Sequence, residues 1–394
     1  MPGPSLALSN MRAVTILLVL SFHSSLAYLD FLPPVPYRFD APPYTWQAFP
    51  IIDSRRFVPF DLICAWQDVC LMSIFFFLSG LFVWPSLSRK GIAIFVTDRI
   101  KRIALPCIAV VLLLTPIAYY PSYAVGAADS SLEGYWQAWL ALPFWPCGPQ
   151  WFLWELIALN LIAGALCLVA PHWGDRLAML ASKAREHPLK FLVGLMAVSA
   201  LAYLPPALLY TPWEWTHYGP VAWQVSRPFH YAVFFFAGIA VGAHGIERGL
   251  LSIDGPLSKN LWVWTGAAVA GFTAWIVPTS FVVDNADAPL WLQTAAALGF
   301  VFGCASGCFA FIAAFLRYAR ERNGILDSLS SNAYGMYLGH YVFVVWLQFA
   351  LLSVPLPGAA KALIVFGLTL ALSWSLAVAL SGFAPALRAV RAQR

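Results

Sequence analysis

The chain has 394 residues, of which 61% are hydrophobic and only 10% charged, with 23 Lys and Arg against 18 Asp and Glu for a net charge of +5. A soluble domain carries about 25% charged residues, so this composition excludes a soluble enzyme. Its small positive excess reads as loop placement at a membrane and not as nucleic-acid binding. The expected fold class is an all-α integral membrane protein, organised as one membrane domain over 1–394.

Apolar windows of about 20 residues, the length needed to cross a bilayer, fall near 11–29, 62–84, 103–120, 150–170, 189–209, 228–246, 261–281, 290–316, 333–353 and 360–383. Ten crossings put both ends on one side. The loops and ends on the side of the N-terminus hold 18 of the 23 basic residues, from Arg12 through Arg99 and Arg102 to Arg388, Arg391 and Arg394. The other side holds Arg38, Arg55, Arg56, Arg227 and Lys361. The positive-inside rule then predicts both termini in the cytoplasm.

The first window, "NMRAVTILLVLSFHSSLAY", keeps Arg12 near its start and His23 in its second half. Eleven helical residues advance three turns plus roughly 20°, so both side chains share a face, ~16 Å apart along the axis. Arg12 can snorkel to the cytoplasmic surface, but His23 falls ~20 Å into the bilayer. A signal peptide would not need a histidine there, and the chain beyond is equally apolar. A charge at the bilayer centre costs at least ~2.5–3.5 kcal/mol, so each intramembrane ionisable group is a candidate for function. The sequence offers Arg12, His23, Glu155, His230 and His340. Each can also be read as structural: a neutral imidazole bonded to a neighbouring helix, or an interfacial carboxylate.

After the second window, "SRKGIAIFVTDRIKRIALP" ends in Arg99-x-x-Arg102. Residues three apart share a helix face, which makes either ordinary positive-inside anchoring or a fork for phosphate oxygens. The outer segments 30–61, 121–149 and 210–227 are rich in Trp, Tyr and Pro beside carboxylates. That suits an interfacial aromatic belt and equally a surface that stacks on sugar rings. "GFVFGCASG" places Gly299, Gly303 and Gly307 on one close-packing face. In the ninth window Tyr334, Tyr337 and Tyr341 form a stripe with His340. The seven cysteines show no metal-type pair. Cys64, Cys70 and Cys147 lie near the outer surface, where one disulfide among them could form.

These pieces together resemble the membrane acyltransferases of family 3, multi-helix enzymes that O-acylate bacterial surface glycans. The likeness runs through Arg12-x10-His23, "FFFLSGLFVWPSL", Arg99-x-x-Arg102 followed by Pro106, "QWFLWEL" and "SSNAYGMYLGH", in that order. Length and the long first outer loop look most like the glucan-succinylating subgroup without a fused soluble domain. Gln150 stands where many relatives have His.

The resemblance implies transfer of an acyl group, acetyl or succinyl in class, from cytoplasmic acyl-CoA to a hydroxyl of an extracytoplasmic polysaccharide or oligosaccharide, at the bacterial inner membrane. It implies His23 as catalytic base, helped by Arg12, with Arg99 and Arg102 on the donor's phosphates. Tyr337, His340 and Glu155 are accessory candidates. Acyl-CoA serves as donor substrate, with no metal or prosthetic group expected. The partners are that donor, the glycan acceptor and the lipid bilayer. The competing reading is a multi-pass transporter, against which stands the lack of an internal repeat or of matched broken helices.

Overall fold

The computed structural model describes residues 6–32, 38–283, 285 and 287–392, the stretch 382–392 by backbone alone; Arg394 lies outside the described residues. Its helices are α1 (Leu6–Ser25), α2 (Pro59–Gly80), α3 (Val83–Lys90), α4 (Ile92–Gly126), α5 (Leu132–Ala141), α6 (Trp151–Val169), α7 (Trp173–Ala181) and α8 (Pro188–Tyr210). A hairpin of β1 (Trp215–Tyr218) and β2 (Val221–Gln224) follows. The chain continues through α9 (Pro228–His244), α10 (Leu261–Val282), α11 (Leu290–Tyr318), α12 (Gly324–Ala350) and α13 (Gly358–Ala392).

Eight of these segments are long and apolar enough to cross a membrane: α1, α2 with α3, α4, α6, α8, α10, α11 and α13. The protein is therefore a multi-pass, all-α membrane protein. The other two predicted spans coincide with α9, which has only 17 residues, and with α12. At 27 residues α12 is long enough, but its tyrosines, His340 and Gln348 lower its hydropathy. The polar stripe on α12 is what weakens its membrane signal.

Contacts gather loops at two ends of the bundle. At one end Asn10 donates to the carbonyls of Ala319 and Glu321, each at 3.1 Å, and Trp84 Nε1 donates to Asp175 at 3.1 Å. At the other end Lys361 pairs with Asp53, and the Trp145 amide donates to the Gly219 carbonyl at 3.0 Å.

Pro116 shapes α4. Within it Ile100–Ala104 and Val110–Leu114 are π-turns, in which the Leu105 and Thr115 amides reach back five residues to Ile100 and Val110. In that register the partner of the Val111 carbonyl would be the nitrogen of Pro116, which carries no hydrogen. A buried carbonyl left alone costs about 1–3 kcal/mol. Here Thr115 Oγ1 at 2.6 Å and Trp145 Nε1 at 2.8 Å donate to it instead. That second bond ties the outer aromatic segment to the core of α4.

Glycines set the closest helix pairs. A Cβ on Gly80 would lie 2.1 Å from the Phe235 carbonyl oxygen, and one on Gly238 2.1 Å from that of Phe77. Only glycine lets α2 and α9 meet backbone to backbone. The Gly299–Gly303–Gly307 face behaves as its spacing predicts, the first two against Ala274 and Gly271 of α10 and the third against Cys70 of α2. All seven cysteines are free, so the outer disulfide among Cys64, Cys70 and Cys147 does not form.

Candidate active site

His23 sits on the last turn of α1, where helical carbonyls run out of intrahelical partners. Gln348 of α12 fills that need, its Nε2 donating to the His23 carbonyl at 2.9 Å and bonding that of Ser24 at 3.4 Å. The side chain of His23 lies with Nδ1 3.0 Å from its own-helix carbonyl at Val19. The same Nδ1 is 3.3 Å from Nε2 of His340, whose Nδ1 lies 2.7 Å from the Tyr337 carbonyl. The two imidazole centroids are 5.0 Å apart, and Tyr341 presents an edge contact to His23 at 5.5 Å. His340 is fully buried, whereas His23 is only half-buried. The pair is thus layered, with one ring reachable and the other behind it.

Three tyrosines frame the pair. Tyr337 donates to the Pro149 carbonyl, docking α12 against the entry to α6. Tyr119 of α4 donates to the Gln47 carbonyl at 2.8 Å, so Tyr341 is the donor in the 3.4 Å contact between their hydroxyls. Gly148, at φ +54°, fits beneath them; a Cβ there would come within 3.2 Å of the Tyr341 ring. The left-handed backbone and the close ring both call for glycine.

Above Tyr119 lies an aromatic layer from the outer segments. Trp46 is fully buried, stacked on Phe39 at 4.3 Å and edge-on to Tyr119 at 5.2 Å. His217 of the β-hairpin stacks on Phe144 at 4.6 Å. Burial holds its imidazole below the ordinary histidine range, so this ring is neutral at neutral pH.

The remaining sequence candidates are dispersed. Arg12 shares the continuous α1 with His23, is exposed, and has its guanidinium carbon 6.0 Å from the Phe82 ring. Arg99 is half-buried with its guanidinium carbon 4.8 Å from the Phe95 ring and with Nε unbonded, while Arg102 is exposed. The π-turn beginning at Ile100 lies between them and widens the step that an α-helical spacing would impose. Glu155 is one turn into α6, with Oε1 unbonded. Among the described residues no hydrogen bond joins Arg12, Arg99, Arg102 or Glu155 to His23.

Two groupings correct the list of intramembrane ionisable residues. His230 has both ring nitrogens occupied, Nδ1 by Ser199 at 2.6 Å and Nε2 by Ser73 at 3.2 Å and Cys304 at 3.3 Å, and it is fully buried. It bolts α2, α8, α9 and α11 together. Asp68, inside the second predicted span, belonged on that list. Arg227 holds it with a two-pronged pair at 2.9 and 2.6 Å, so its charge is neutralised.

A reachable imidazole in a membrane bundle is compatible with several chemistries, and the comparison with known families decides the class. A family model described as an acyltransferase domain, that of acyltransferase family 3, matches residues 5–378. The chain belongs to acyltransferase family 3. No curated protein and no solved structure matches it. The protein is therefore a membrane acyltransferase, an enzyme moving acyl groups other than aminoacyl groups. Within this acyltransferase, the sequence reading found His23, Tyr337 and His340, which the fold brings together. It missed Gln348, Tyr119 and the Pro149 carbonyl. Gln348, a polar residue in an apolar run, was the one legible signal among these.

Proposed function

We propose that this acyltransferase moves an acyl group, acetyl or succinyl in class, from cytoplasmic acyl-CoA to a hydroxyl of an extracytoplasmic glycan, at a bacterial inner membrane. The observation that carries the reading is the His23 ring: half-buried, tethered at Nδ1, and with Nε2 free of hydrogen bonds among the described residues. A sugar hydroxyl is a poor nucleophile near neutral pH, and imidazole is well matched to take its proton. His23 Nε2 accepts that proton as the hydroxyl oxygen attacks the thioester carbonyl. The new C–O ester bond forms, the C–S bond breaks, and the leaving thiolate takes the proton back from the imidazolium.

Orientation supports the same reading. With 18 of 23 basic residues on the side of the N-terminus, that side is cytoplasmic. Arg12, Arg99 and Arg102 then meet a nucleotide arriving from the cytosol. The aromatic layer over Tyr119 faces the acceptor, and neutral rings such as His217 and Phe144 offer apolar faces to a sugar.

The test uses protein in lipid nanodiscs with acetyl-CoA or succinyl-CoA and a glucan acceptor, following thiol release and the acceptor's mass. We expect one donor to yield a mass gain of the matching acyl group. His23→Ala should remain folded and lose at least ~10²-fold in transfer. Transfer at the wild-type rate in that variant would remove His23 from the chemistry.

A further inference from the structure

The hydrogen-bond pattern around the two imidazoles fixes where their protons sit. A carbonyl oxygen can only accept, so His340 Nδ1, 2.7 Å from the Tyr337 carbonyl, carries a hydrogen. In a neutral ring that leaves His340 Nε2 with a bare lone pair. His23 Nδ1 therefore faces two acceptors, the Val19 carbonyl at 3.0 Å and this lone pair at 3.3 Å. It must carry a hydrogen itself, shared between them. By elimination the lone pair of neutral His23 is on Nε2.

We infer that His340 is a positioning residue, which together with the Val19 carbonyl holds His23 as the Nδ1–H tautomer and so makes Nε2 the reacting atom. The inference rests on the reading of His23 as the base and adds which atom acts and what aims it. His340 cannot be the base in the same arrangement, because its Nδ1 is a donor, its Nε2 is occupied by His23, and its side chain is fully buried. Its role appears when His23 takes a proton. The imidazolium's Nδ1–H then bonds to His340 Nε2, and a hydrogen bond from a charged donor is roughly twice as strong as a neutral one. The gain comes in the transition state and not on binding, so it bears on kcat more than on KM.

The geometry around the pair supports this division. Tyr337 gives its carbonyl to His340 and its hydroxyl to Pro149, so the relay is anchored to the start of α6. Gln348, about two turns beyond His340 on α12, holds the His23 backbone carbonyl. Beside His340, Tyr341 is the other titratable group facing His23 from α12, with Tyr119 of α4 behind it. Among the described residues no carboxylate bonds to either imidazole, so a neutral histidine fills the orienting role that a carboxylate fills elsewhere.

Two measurements test it. Nitrogen NMR on histidine-labelled protein in nanodiscs, with the His23 signals assigned by their loss in His23→Gln, reads the tautomer directly. We expect Nδ1 protonated and Nε2 bare, the less common form of free histidine. Kinetics of His340→Phe and His340→Gln read the consequence. Phenylalanine keeps the ring's bulk but cannot accept, and should lower kcat about 10- to 100-fold, the scale of one hydrogen bond to a charged group, with KM for acyl-CoA within about twofold. Glutamine offers an amide oxygen near the position of Nε2 and should restore much of the loss. A resting Nε2–H tautomer of His23 overturns the inference, as does equal kcat in both variants and wild type. Since the tautomer is read in the unsubstituted protein, poor folding of a His340 variant leaves the test intact. Failure here with His23→Ala inactive leaves the base assignment standing; an active His23→Ala removes that assignment itself.

Discussion

Lys361 Nζ lies 2.6 Å from Asp53 Oδ2, with the two side chains 0% and 1% exposed. The pair joins the loop 38–58 to the first turn of α13. Asp53 Oδ1 also accepts from the Arg55 amide at 2.8 Å, and the Asp53 amide donates to the Ala27 carbonyl at 2.9 Å. One buried ion pair thus fastens the loop that carries Trp46 and Gln47 over Tyr119 and the histidines.

Breaking this pair by one side should cost far more than removing both. Lys361→Met leaves a buried carboxylate without its cation and should cost about 3–5 kcal/mol, whereas Asp53→Leu with Lys361→Met should recover most of that loss. Thermal or denaturant unfolding in detergent, run as a double-mutant cycle, measures the coupling. A double variant as unstable as the worse single one would mean the pair is not the latch.

Backbone contact between α2 and α9 predicts opposite outcomes for two helical glycines. Gly80→Ala forces a methyl to 2.1 Å from the Phe235 carbonyl oxygen, so the helices must part, at a cost of about 1–3 kcal/mol or more. Gly194→Ala on α8 meets nothing within 4 Å and should stabilise by roughly 0.5–1 kcal/mol through helix propensity. Melting curves of the two variants compare them directly. Equal effects would contradict the close crossing.

Arg99 and its neighbour Lys101 separate phosphate recognition from plain positive charge. Arg99 Nε is buried and unbonded, a donor suited to a phosphate oxygen, whereas Lys101 is exposed. Arg99→Lys keeps the charge but loses the planar fork. It should weaken acyl-CoA binding about tenfold, the scale of one charge-assisted hydrogen bond. Lys101→Arg should leave binding unchanged. Titration of both variants with acyl-CoA at fixed ionic strength checks this, and equal affinities would return Arg99 to simple anchoring.

The sequence by itself determined the class of the protein and its apolar segments, and it predicted a sorting of the loops and a depth for His23. These follow from quantities that are local and additive along the chain: hydropathy summed over a window, charges counted loop by loop, and a fixed 100° per helical residue. The Gly299–Gly303–Gly307 face belongs with them, because a helix repeats its own neighbours at every turn. The acyltransferase motifs were legible for the same reason, each being a short run on one helix.

What only the tertiary structure decided is which polar groups meet. His23 and His340 stand 317 positions apart, Asp53 and Lys361 308, and Asp68 and Arg227 159. His230 and His23 look alike in sequence, each a lone imidazole in an apolar helix. Yet the fold closes both nitrogens of His230 on Ser199, Ser73 and Cys304, and leaves one nitrogen of His23 open. Such pairing depends on the relative rotation and depth of helices far apart in the chain. Those are set by how close their backbones approach, as at Gly80 and Gly238, and no window along the sequence contains both partners.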